Sequence, residues 1–292
     1  MNGLLVIDKP GGMTSHDVVN RLRKITGERS IGHLGTLDPM ATGVLPLLLG
    51  KFTRLAQYFS SAEKTYSGTI RFGFATDTYD AEGEPVGPQI VPALTLEQVR
   101  SAAERFHGEM EQIPPPFSAK KIGGTPAYKL ARAGITVELK AARIRIISFQ
   151  IDGIEGSEAT FAMSVSAGGY VRSVVHDLGQ ILGCGAHLSS LRRTRAGAFA
   201  LEDAHTLDEV LGDSECDDRI ERLCVHPRNL LPGMPAVSGD VIALGRLRNG
   251  AQANLPEFSH VPLVKVFAGQ RELVGIAKRV AGTLFQPVVV MG

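Results

Sequence analysis

Residues 143–182 read RIRIISFQIDGIEGSEATFAMSVSAGGYVRSVVHDLGQIL and change their hydrophobic period once along their length. Apolar and polar side chains alternate over residues 143–154 and again over 158–167, with Glu-Gly-Ser between the two runs, which predicts a β-hairpin. From residue 170 to 182 the apolar positions instead recur every three or four residues, which predicts an amphipathic helix. This stretch therefore indicates a chain that combines antiparallel strands with helices.

The rest of the chain interleaves the same two patterns. Helices are predicted over residues 14–26 and 95–107, because each begins with a threonine followed three positions later by a side chain that completes a capping box. Residues 32–50 are predicted to be a glycine-rich loop that passes into a buried apolar strand, followed by a short helix over 53–59 and a second strand over 65–74. No regular βαβ repeat connects these elements, so the sequence predicts an α+β fold with a mixed, largely antiparallel sheet and flanking helices.

Two segments suggest how the chain is divided. Residues 113–140 have no sustained period and begin with three prolines in a row, which predicts a long surface excursion inserted into the main domain. An acidic stretch at residues 202–221, followed by Leu-Pro-Gly at 231–233, predicts a boundary near residue 230. We expect a main domain over residues 1–230 and a small β-rich domain, with a short helix and three strands, over 231–292.

Composition excludes several classes of protein. The chain has 292 residues, a net charge of +1 and 43% hydrophobic residues, which is typical of a globular protein. Its apolar runs are too short for a membrane-spanning helix or a signal peptide, so we expect a cytoplasmic protein that does not contact a membrane. Three cysteines without metal-ligand spacing predict neither a disulfide framework nor a metal site. Charge is unevenly distributed: residues 118–145 contain seven basic residues and one acidic residue.

The loop GHLGTLDPMATG at residues 32–43 carries the strongest local signal for chemistry. Pro39 favours an extended Asp38, so the loop could present a carboxylate as a nucleophile or base. The same residues also fit a helix that has Asp38 as its N-cap and proline in its first turn. The P-loop spacing fails after Gly43, and the patterns GxSxG, HExxH and GxGxxG are absent. No nucleotide or redox cofactor is therefore predicted.

Five stretches, in this order, resemble the bacterial TruB family of tRNA pseudouridine synthases. They are LLVIDKPGGMTSHDVVNRLRK (4–24), GHLGTLDPMATGVLPLLLGKFTR (32–54), EKTYSGTIRFGFATDTYDAEG (63–83), SAKKIGGTPAYKLARAGI (118–135) and GGYVRSVVHDLGQILGCGAHLSSLRRTRAGAF (168–199). The resemblance implies a pseudouridine synthase fold and isomerisation of uridine 55 in the tRNA T-arm, without cofactor or metal. It implies that Asp38 is the catalytic residue and that the uridine is flipped out of its stack to reach it.

The resemblance also implies roles for five substrate-binding residues. His33 would fill the space left by the flipped base or stack on a displaced nucleotide, and Tyr66 would stack on the flipped base. Tyr170 and Arg172 would line the pocket, with Arg172 paired to Asp38, and Leu191 would form an apolar wall. From the residues alone, Tyr66 and Leu191 also fit a core, and Tyr170 and Arg172 also fit an exposed first helical turn. Gly169 departs from the family pattern, where threonine is expected.

The resemblance identifies residues 113–140 as an RNA-gripping insertion and residues 231–292 as a PUA-like RNA-binding domain. The predicted phosphate contacts form two groups: Lys120, Lys121, Lys129 and Arg132 in the insertion, and Arg192, Arg193 and Arg195 near residue 200. The expected partner is tRNA, bound by a monomer that needs no protein partner. Two alternatives remain: an RNA-folding chaperone in which catalysis is secondary, and a relative that works inside a guide-RNA particle.

Overall fold

The computed structural model describes residues 1–118, 120–133, 135, 139–212 and 216–291. The helices in these residues are α1 (Ser15–Thr26), α2 (Leu96–Glu104), α3 (Ala127–Arg132), α4 (Val171–Ile181), α5 (Leu207–Leu211), α6 (Cys216–Leu223) and α7 (Val241–Arg248), with 3-10 turns at Gly50–Tyr58, Leu201–Asp203 and Pro227–Asn229. The strands up to residue 206 are β1 (Gly3–Lys9), β2 (Ile31–His33), β3 (Thr42–Leu49), β4 (Lys64–Phe72), β5 (Ala75–Thr76), β6 (Pro85–Val86), β7 (Gly108–Gln112), β8 (Lys121–Ile122), β9 (Thr125–Pro126), β10 (Ala142–Glu155), β11 (Glu158–Val165), β12 (Ala186–Ala196), β13 (Phe199–Ala200) and β14 (His205–Thr206). The strands after them are β15 (Ala236–Ser238), β16 (Ala253–Asn254), β17 (Leu263–Ala268), β18 (Glu272–Ala281) and β19 (Leu284–Val290).

A large mixed sheet organises the first 206 residues. Its strand order is β14-β1-β3-β12-β4-β11-β10-β7, with β13 paired to β12 and β2 paired to β3. The pairs β1–β14 and β3–β12 are parallel, and the other pairs in this sheet are antiparallel. The predicted α+β class with a largely antiparallel sheet is therefore confirmed.

The capping boxes predicted from sequence form at both helix starts. At α1 the Thr14 side chain accepts from the backbone of Asp17, the Asp17 carboxylate accepts from the Thr14 backbone N–H, and Gly27 ends the helix in the left-handed conformation. Thr95 and Gln98 make the same reciprocal pair at α2. The hairpin predicted over residues 143–167 is β10–β11. These local predictions hold because each depends on contacts between residues close in sequence.

Two central strands were not predicted. Strand β1 is buried along almost its whole length, so it shows no alternation, and β12 contains several arginines in a strand that packs between β3 and β4. The expectation of an irregular segment over 113–140 is also wrong in part, because the described residues there include the β8–β9 hairpin and α3. Short elements of this kind are below the length at which a hydrophobic period can be recognised.

The C-terminal strands form a separate sheet with the order β15-β17-β18-β19-β16. This sheet packs against the main one through a shared apolar cluster, in which Leu4, Leu48 and Phe52 of the first part meet Phe267 and Ile276 of the second. The side chain of Phe267 is completely buried there. The two sheets are thus held together by a common core. No helix among the described residues is long and apolar enough to cross a membrane.

Candidate active site

Asp38 lies in the loop between β2 and β3, and three buried side chains fix this loop from below. The Lys9 ammonium donates to the Pro39 carbonyl at 3.2 Å, and the Ser15 hydroxyl accepts from the Leu37 N–H at 2.8 Å. Arg193 donates from Nη2 to the carbonyl of Gly35 at 3.0 Å. Residues 38–40 are not helical, so the alternative in which Asp38 caps a helix is wrong. These contacts hold the loop, and with it the Asp38 carboxylate, in place.

Arg172, in the first turn of α4, grips that carboxylate with two nitrogens. Its Nε lies 2.8 Å from Asp38 Oδ2, and its Nη2 donates to Asp38 Oδ1 at 3.0 Å. Nη2 also donates to the carbonyl of Phe117, and Nη1 donates to the carbonyl of Thr78. The Asp80 carboxylate lies near Nη1 as well, so both terminal nitrogens donate hydrogen bonds and are paired with a carboxylate, whereas Nε contacts Asp38 as an ion pair without a well-aligned hydrogen bond. Only 4% of Arg172 is exposed, so this residue is not part of an open helix turn.

Asp80 is the second carboxylate on Arg172, and the sequence analysis missed it. Its Oδ2 lies 3.1 Å from Arg172 Nη1, and its side chain is only 3% exposed. The Thr78 hydroxyl donates to Asp80 Oδ1 at 2.6 Å, and the Glu82 N–H donates to the same oxygen at 3.1 Å. A buried charge requires such a set of partners. Asp80 therefore fixes the back of Arg172, while Asp38 faces the cleft.

The cleft in front of Asp38 has a volume of about 230 Å³. Tyr66 from β4, Leu191 from β12 and Tyr170 at the start of α4 line it together with Asp38 and Arg172. Four of the five substrate-binding residues expected from the sequence thus lie around Asp38. Tyr66 and Leu191 are also core residues, since each is only 8% exposed. The walls of the cleft are therefore continuous with the protein core.

The backbone of Tyr170 is fixed by a buried glutamine at the end of β7. The Gln112 side chain donates to the Tyr170 carbonyl at 3.0 Å and accepts from the Tyr170 N–H at 2.8 Å. Beside it, a β-carbon on Gly169 would lie 2.3 Å from Val165 Cγ2, so this chain has no room for the threonine of the family pattern unless Val165 moves. Gln112 supplies local rigidity that a glycine at position 169 does not.

His33 lies at the end of β2 and does not line the cavity around Asp38. Burial, together with the positive charges of Arg193 and His16, lowers the pKa of His33, which keeps its ring neutral at pH 7. Its Nδ1 is buried without a hydrogen-bond partner among the described residues. His33 and Asp38 are therefore not an acid–base pair in this arrangement.

Burial dominates the electrostatics of the site. Although 32% of the Asp38 side chain remains accessible in the cleft, the surrounding protein raises its pKa above the ordinary value of 3.8, and the Arg172 charge opposes this shift. Burial lowers the pKa of Lys9 to about 8, while the Asp38 charge acts in the opposite direction. Burial also raises the pKa of Tyr170. Burial thus opposes ionisation of Asp38, and the Arg172 charge reduces that cost.

The predicted phosphate contacts differ in accessibility. Arg193 is only 1% exposed and donates from Nε to the Val44 carbonyl at 2.7 Å, so its prediction as a phosphate contact is wrong: its guanidinium supports the Asp38 loop instead. Arg192 is partly exposed and pairs with Asp8 at 2.7 Å, and Arg195 on β12 is exposed. Lys129 is exposed, and Lys120 donates to the Lys140 carbonyl. The side chains of Lys121 and Arg132 lie outside the described part of the structure.

Sequence reasoning missed the residues that hold the site from behind, which are Lys9, Ser15, Asp80 and Gln112. Their partners lie far away in sequence: Ser15 contacts Leu37, and Gln112 contacts Tyr170. The available signal was the charged pair Asp8 and Lys9 directly after the four apolar residues 4–7, since a lysine at the end of a buried strand needs acceptors. Within the described ranges, no group of three or more histidine, cysteine or acidic residues could hold a metal ion.

Comparison with solved structures identifies the class of this fold. A chain of the Cbf5–Nop10–Gar1 complex covers 96% of this chain and 79% of its own length, with a TM-score of 0.68 and 27% identity. A chain of an H/ACA ribonucleoprotein bound to a substrate RNA containing 2′-deoxyuridine covers 99% and 85%, with a TM-score of 0.67 and 26% identity. The chain has the pseudouridine synthase fold.

The family follows from sequence. The model of the TruB family pseudouridylate synthase N-terminal domain matches residues 23–171, and that of the tRNA pseudouridylate synthase B C-terminal domain matches residues 172–228. The tRNA pseudouridine synthase B of Solibacter usitatus is 44% identical over the full length of both chains, and that of Aquifex aeolicus is 37% identical over 97% of this chain and 98% of its own. The chain belongs to the TruB family of pseudouridine synthases.

Proposed function

We propose that this protein converts uridine 55 in the T-arm loop of tRNA to pseudouridine. The observation that carries the proposal is a carboxylate, Asp38, held by two nitrogens of a buried arginine at the base of a cleft in a chain of this family. The relatives that match the chain over its full length bear the name tRNA pseudouridine synthase B. Pseudouridine formation in tRNA is the activity that family and geometry support together.

The reaction needs no added reagent. The N1–C1′ bond breaks, the uracil turns, and a C5–C1′ bond forms, while C5 loses its proton and N1 gains one. Atoms and electrons balance within the substrate, so no reagent is consumed; the protein supplies orientation, charge, proton transfer and, where Asp38 attacks, a nucleophile. An ionised Asp38 can attack C1′ or C6, or assist elimination to a glycal. In each case Arg172 keeps the carboxylate ionised and fixes its direction.

The uridine must leave its stack to reach Asp38, which costs a few kcal/mol. Tyr66 is the proposed stacking partner of the flipped base, and base–aromatic stacking returns about 1–3 kcal/mol. Tyr66 is also proposed to assist removal of the C5 proton, and Leu191 and Tyr170 are proposed to form the walls around the base. His33, outside the cavity and neutral, is proposed to fill the space that the base vacates.

The RNA is proposed to be gripped from two sides. Lys120, Lys121, Lys129 and Arg132 of the insertion at 113–140, and Arg192 and Arg195 of β12, form the proposed phosphate contacts. The five-stranded sheet and α7 are consistent with a PUA-like RNA-binding domain over residues 231–292, attached to a catalytic domain over residues 1–230. The protein is proposed to act as a cytoplasmic monomer without an obligate protein partner.

The test uses an unmodified T-arm stem-loop and a full tRNA transcript incubated with the purified protein alone. Because pseudouridine has the mass of uridine, the RNA is treated with a pseudouridine-specific reagent before mass spectrometry. Conversion of the single loop uridine supports the proposal, and a transcript with cytidine at that position should stay unmodified. Accelerated tRNA refolding without any conversion would instead favour the chaperone alternative.

A further inference from the structure

Tyr79 has a backbone conformation that tyrosine rarely adopts. Its φ is +66°, and among the described non-glycine residues only Leu231 shares a positive φ. A bulky side chain in the left-handed region is strained unless its surroundings hold it there. Backbone strain of this kind often lies next to a functional site, which makes the neighbours of Tyr79 important.

The residues on either side of Tyr79 both contact Arg172. The Thr78 carbonyl accepts from Arg172 Nη1 at 2.9 Å, and the Asp80 carboxylate lies 3.1 Å from the same nitrogen. The conformation at residue 79 therefore decides whether these two oxygens face one guanidinium. The Tyr79 carbonyl itself accepts from the Leu188 N–H at 3.0 Å, which ties the segment to β12.

The Tyr79 ring is stacked on His176. The ring centroids are 3.8 Å apart, with 19° between the planes. His176 lies four residues after Arg172 on α4, so the same helix face presents the guanidinium to residues 78 and 80 and the imidazole to residue 79. His176 Nδ1 is buried with no hydrogen-bond partner among the residues that the structure describes.

We propose that Tyr79 and His176 are positioning residues for the isomerisation: their stack holds residue 79 in the left-handed conformation and so keeps Thr78 and Asp80 on Arg172. With its rear donors engaged, Arg172 has one Nη2 hydrogen directed at Asp38 Oδ1, and its Nε lies 2.8 Å from Asp38 Oδ2. Neither ring touches the cleft, so their effect passes entirely through Arg172. This inference rests on the proposed function only for its kinetic readout.

Substitutions at residue 79 distinguish the contribution of the ring stack from that of the backbone strain. Tyr79→Ala removes the stack and leaves a β-carbon in the strained conformation, whereas Tyr79→Gly removes the stack and the strain together. We expect Tyr79→Ala to lower kcat about tenfold, since strain of this kind corresponds to roughly that factor, with KM within about twofold. Tyr79→Gly should recover most of the loss, and Tyr79→Phe, which keeps the ring, should match the unmodified protein.

The same logic applies to the partner ring. His176→Phe should retain kcat and His176→Ala should lower it, with Tyr79→Gly restoring activity when combined with His176→Ala. The inference is wrong if alanine at position 79 leaves kcat unchanged, or if glycine and alanine lower it equally. Either result would show that the stack does not set the catalytic geometry.

Crystal structures of Tyr79→Ala and Tyr79→Gly test the inference without activity. We expect the Arg172–Asp80 contact to be broken or lengthened in the alanine variant and retained in the glycine variant. Identical contacts in both variants would overturn the inference. An inactive unmodified protein would contradict the proposed function alone, and the two structures would still decide the role of the stack.

Discussion

Arg172 Nε and Nη2 lie 2.8 and 3.0 Å from the two carboxylate oxygens of Asp38. The two residues are far apart in sequence, one in the β2–β3 loop and one in the first turn of α4. A planar guanidinium engaged at two points fixes the direction as well as the charge of a carboxylate. The reactivity of Asp38 should therefore depend on Arg172.

Arg172→Lys should lower the single-turnover rate of pseudouridine formation at least about a hundredfold, because lysine keeps the charge but cannot make the two-point contact. Arg71→Lys is the matched control, since Arg71 pairs with Glu158 at the surface, where both side chains are more than 40% exposed. We expect this control to stay within about twofold. Equal rates for Arg172→Lys and the unmodified protein would contradict a role for the two-point contact.

The rate should fall at acid pH as Asp38 becomes protonated. Because burial raises the pKa of Asp38, the midpoint of this fall should lie above 3.8, the ordinary aspartate value. Arg172 lowers the pKa of Asp38, so Arg172→Met should move the midpoint to still higher pH. The measurement is the single-turnover rate against pH for both proteins. A midpoint that stays fixed when Arg172 is replaced would contradict this assignment.

Lys9 should make the stability depend on alkaline pH. Its pKa is lowered from 10.5 to about 8, so between these values the folded state binds fewer protons than the unfolded chain. The free energy of unfolding should therefore rise with pH across this window, by at most about 3 kcal/mol, and this gain is lost as the pH falls through 8.

Urea unfolding of the unmodified protein and of Lys9→Met at several pH values from 8 to 10.5 isolates this contribution, because other titrating groups are common to both. The difference between the two proteins should change with pH in the stated direction. A constant difference would show that Lys9 titrates with the same pKa in the folded and unfolded states.

The arginines of β12 should separate into two types. Arg193→Met leaves the carbonyls of Gly35 and Val44 without a buried donor and should lower the free energy of unfolding by roughly 1–3 kcal/mol. Arg195→Gln should leave stability unchanged, weaken RNA binding and reduce the slope of log affinity against log salt by roughly 0.7–0.9. The measurements are urea unfolding and a binding titration at several salt concentrations. If Arg193→Met instead weakened RNA binding and left stability unchanged, Arg193 would be a phosphate contact.

The sequence predicted correctly those elements that depend on contacts between residues close in sequence. The capping boxes at Thr14 and Thr95, the β10–β11 hairpin and the helix α4 all formed where the pattern predicted them. Strand β12 was not predicted, because an arginine such as Arg193 is typical of a surface position. Its burial depends on carbonyl partners from the β2–β3 region that are distant in sequence. Burial of a charge is a property of the assembled fold and cannot be derived from period alone.

The site itself divides in the same way. Asp38 was a candidate because Pro39 favours an extended conformation there, but the same residues also fitted a helix N-cap, and the ordered resemblance favoured Asp38 as catalytic and supplied Tyr66, Tyr170, Arg172 and Leu191. Asp80 and Gln112 had no comparable signal, since their importance comes from partners that are distant in sequence. Five residues that line the cleft were therefore found, and the residues that support them from behind were not.

The most direct test of the account measures hydrogen release from C5 of the target uridine. A T-arm stem-loop carrying tritium at C5 is incubated with the unmodified protein and with Asp38→Asn, which keeps the shape of the side chain and removes its charge. Formation of the C5–C1′ bond must expel this hydrogen, so the account predicts stoichiometric tritium release by the unmodified protein. It predicts none by Asp38→Asn, which should still fold and bind the RNA. Tritium release by a folded Asp38→Asn protein at a comparable rate would contradict the assignment of Asp38 as the essential carboxylate.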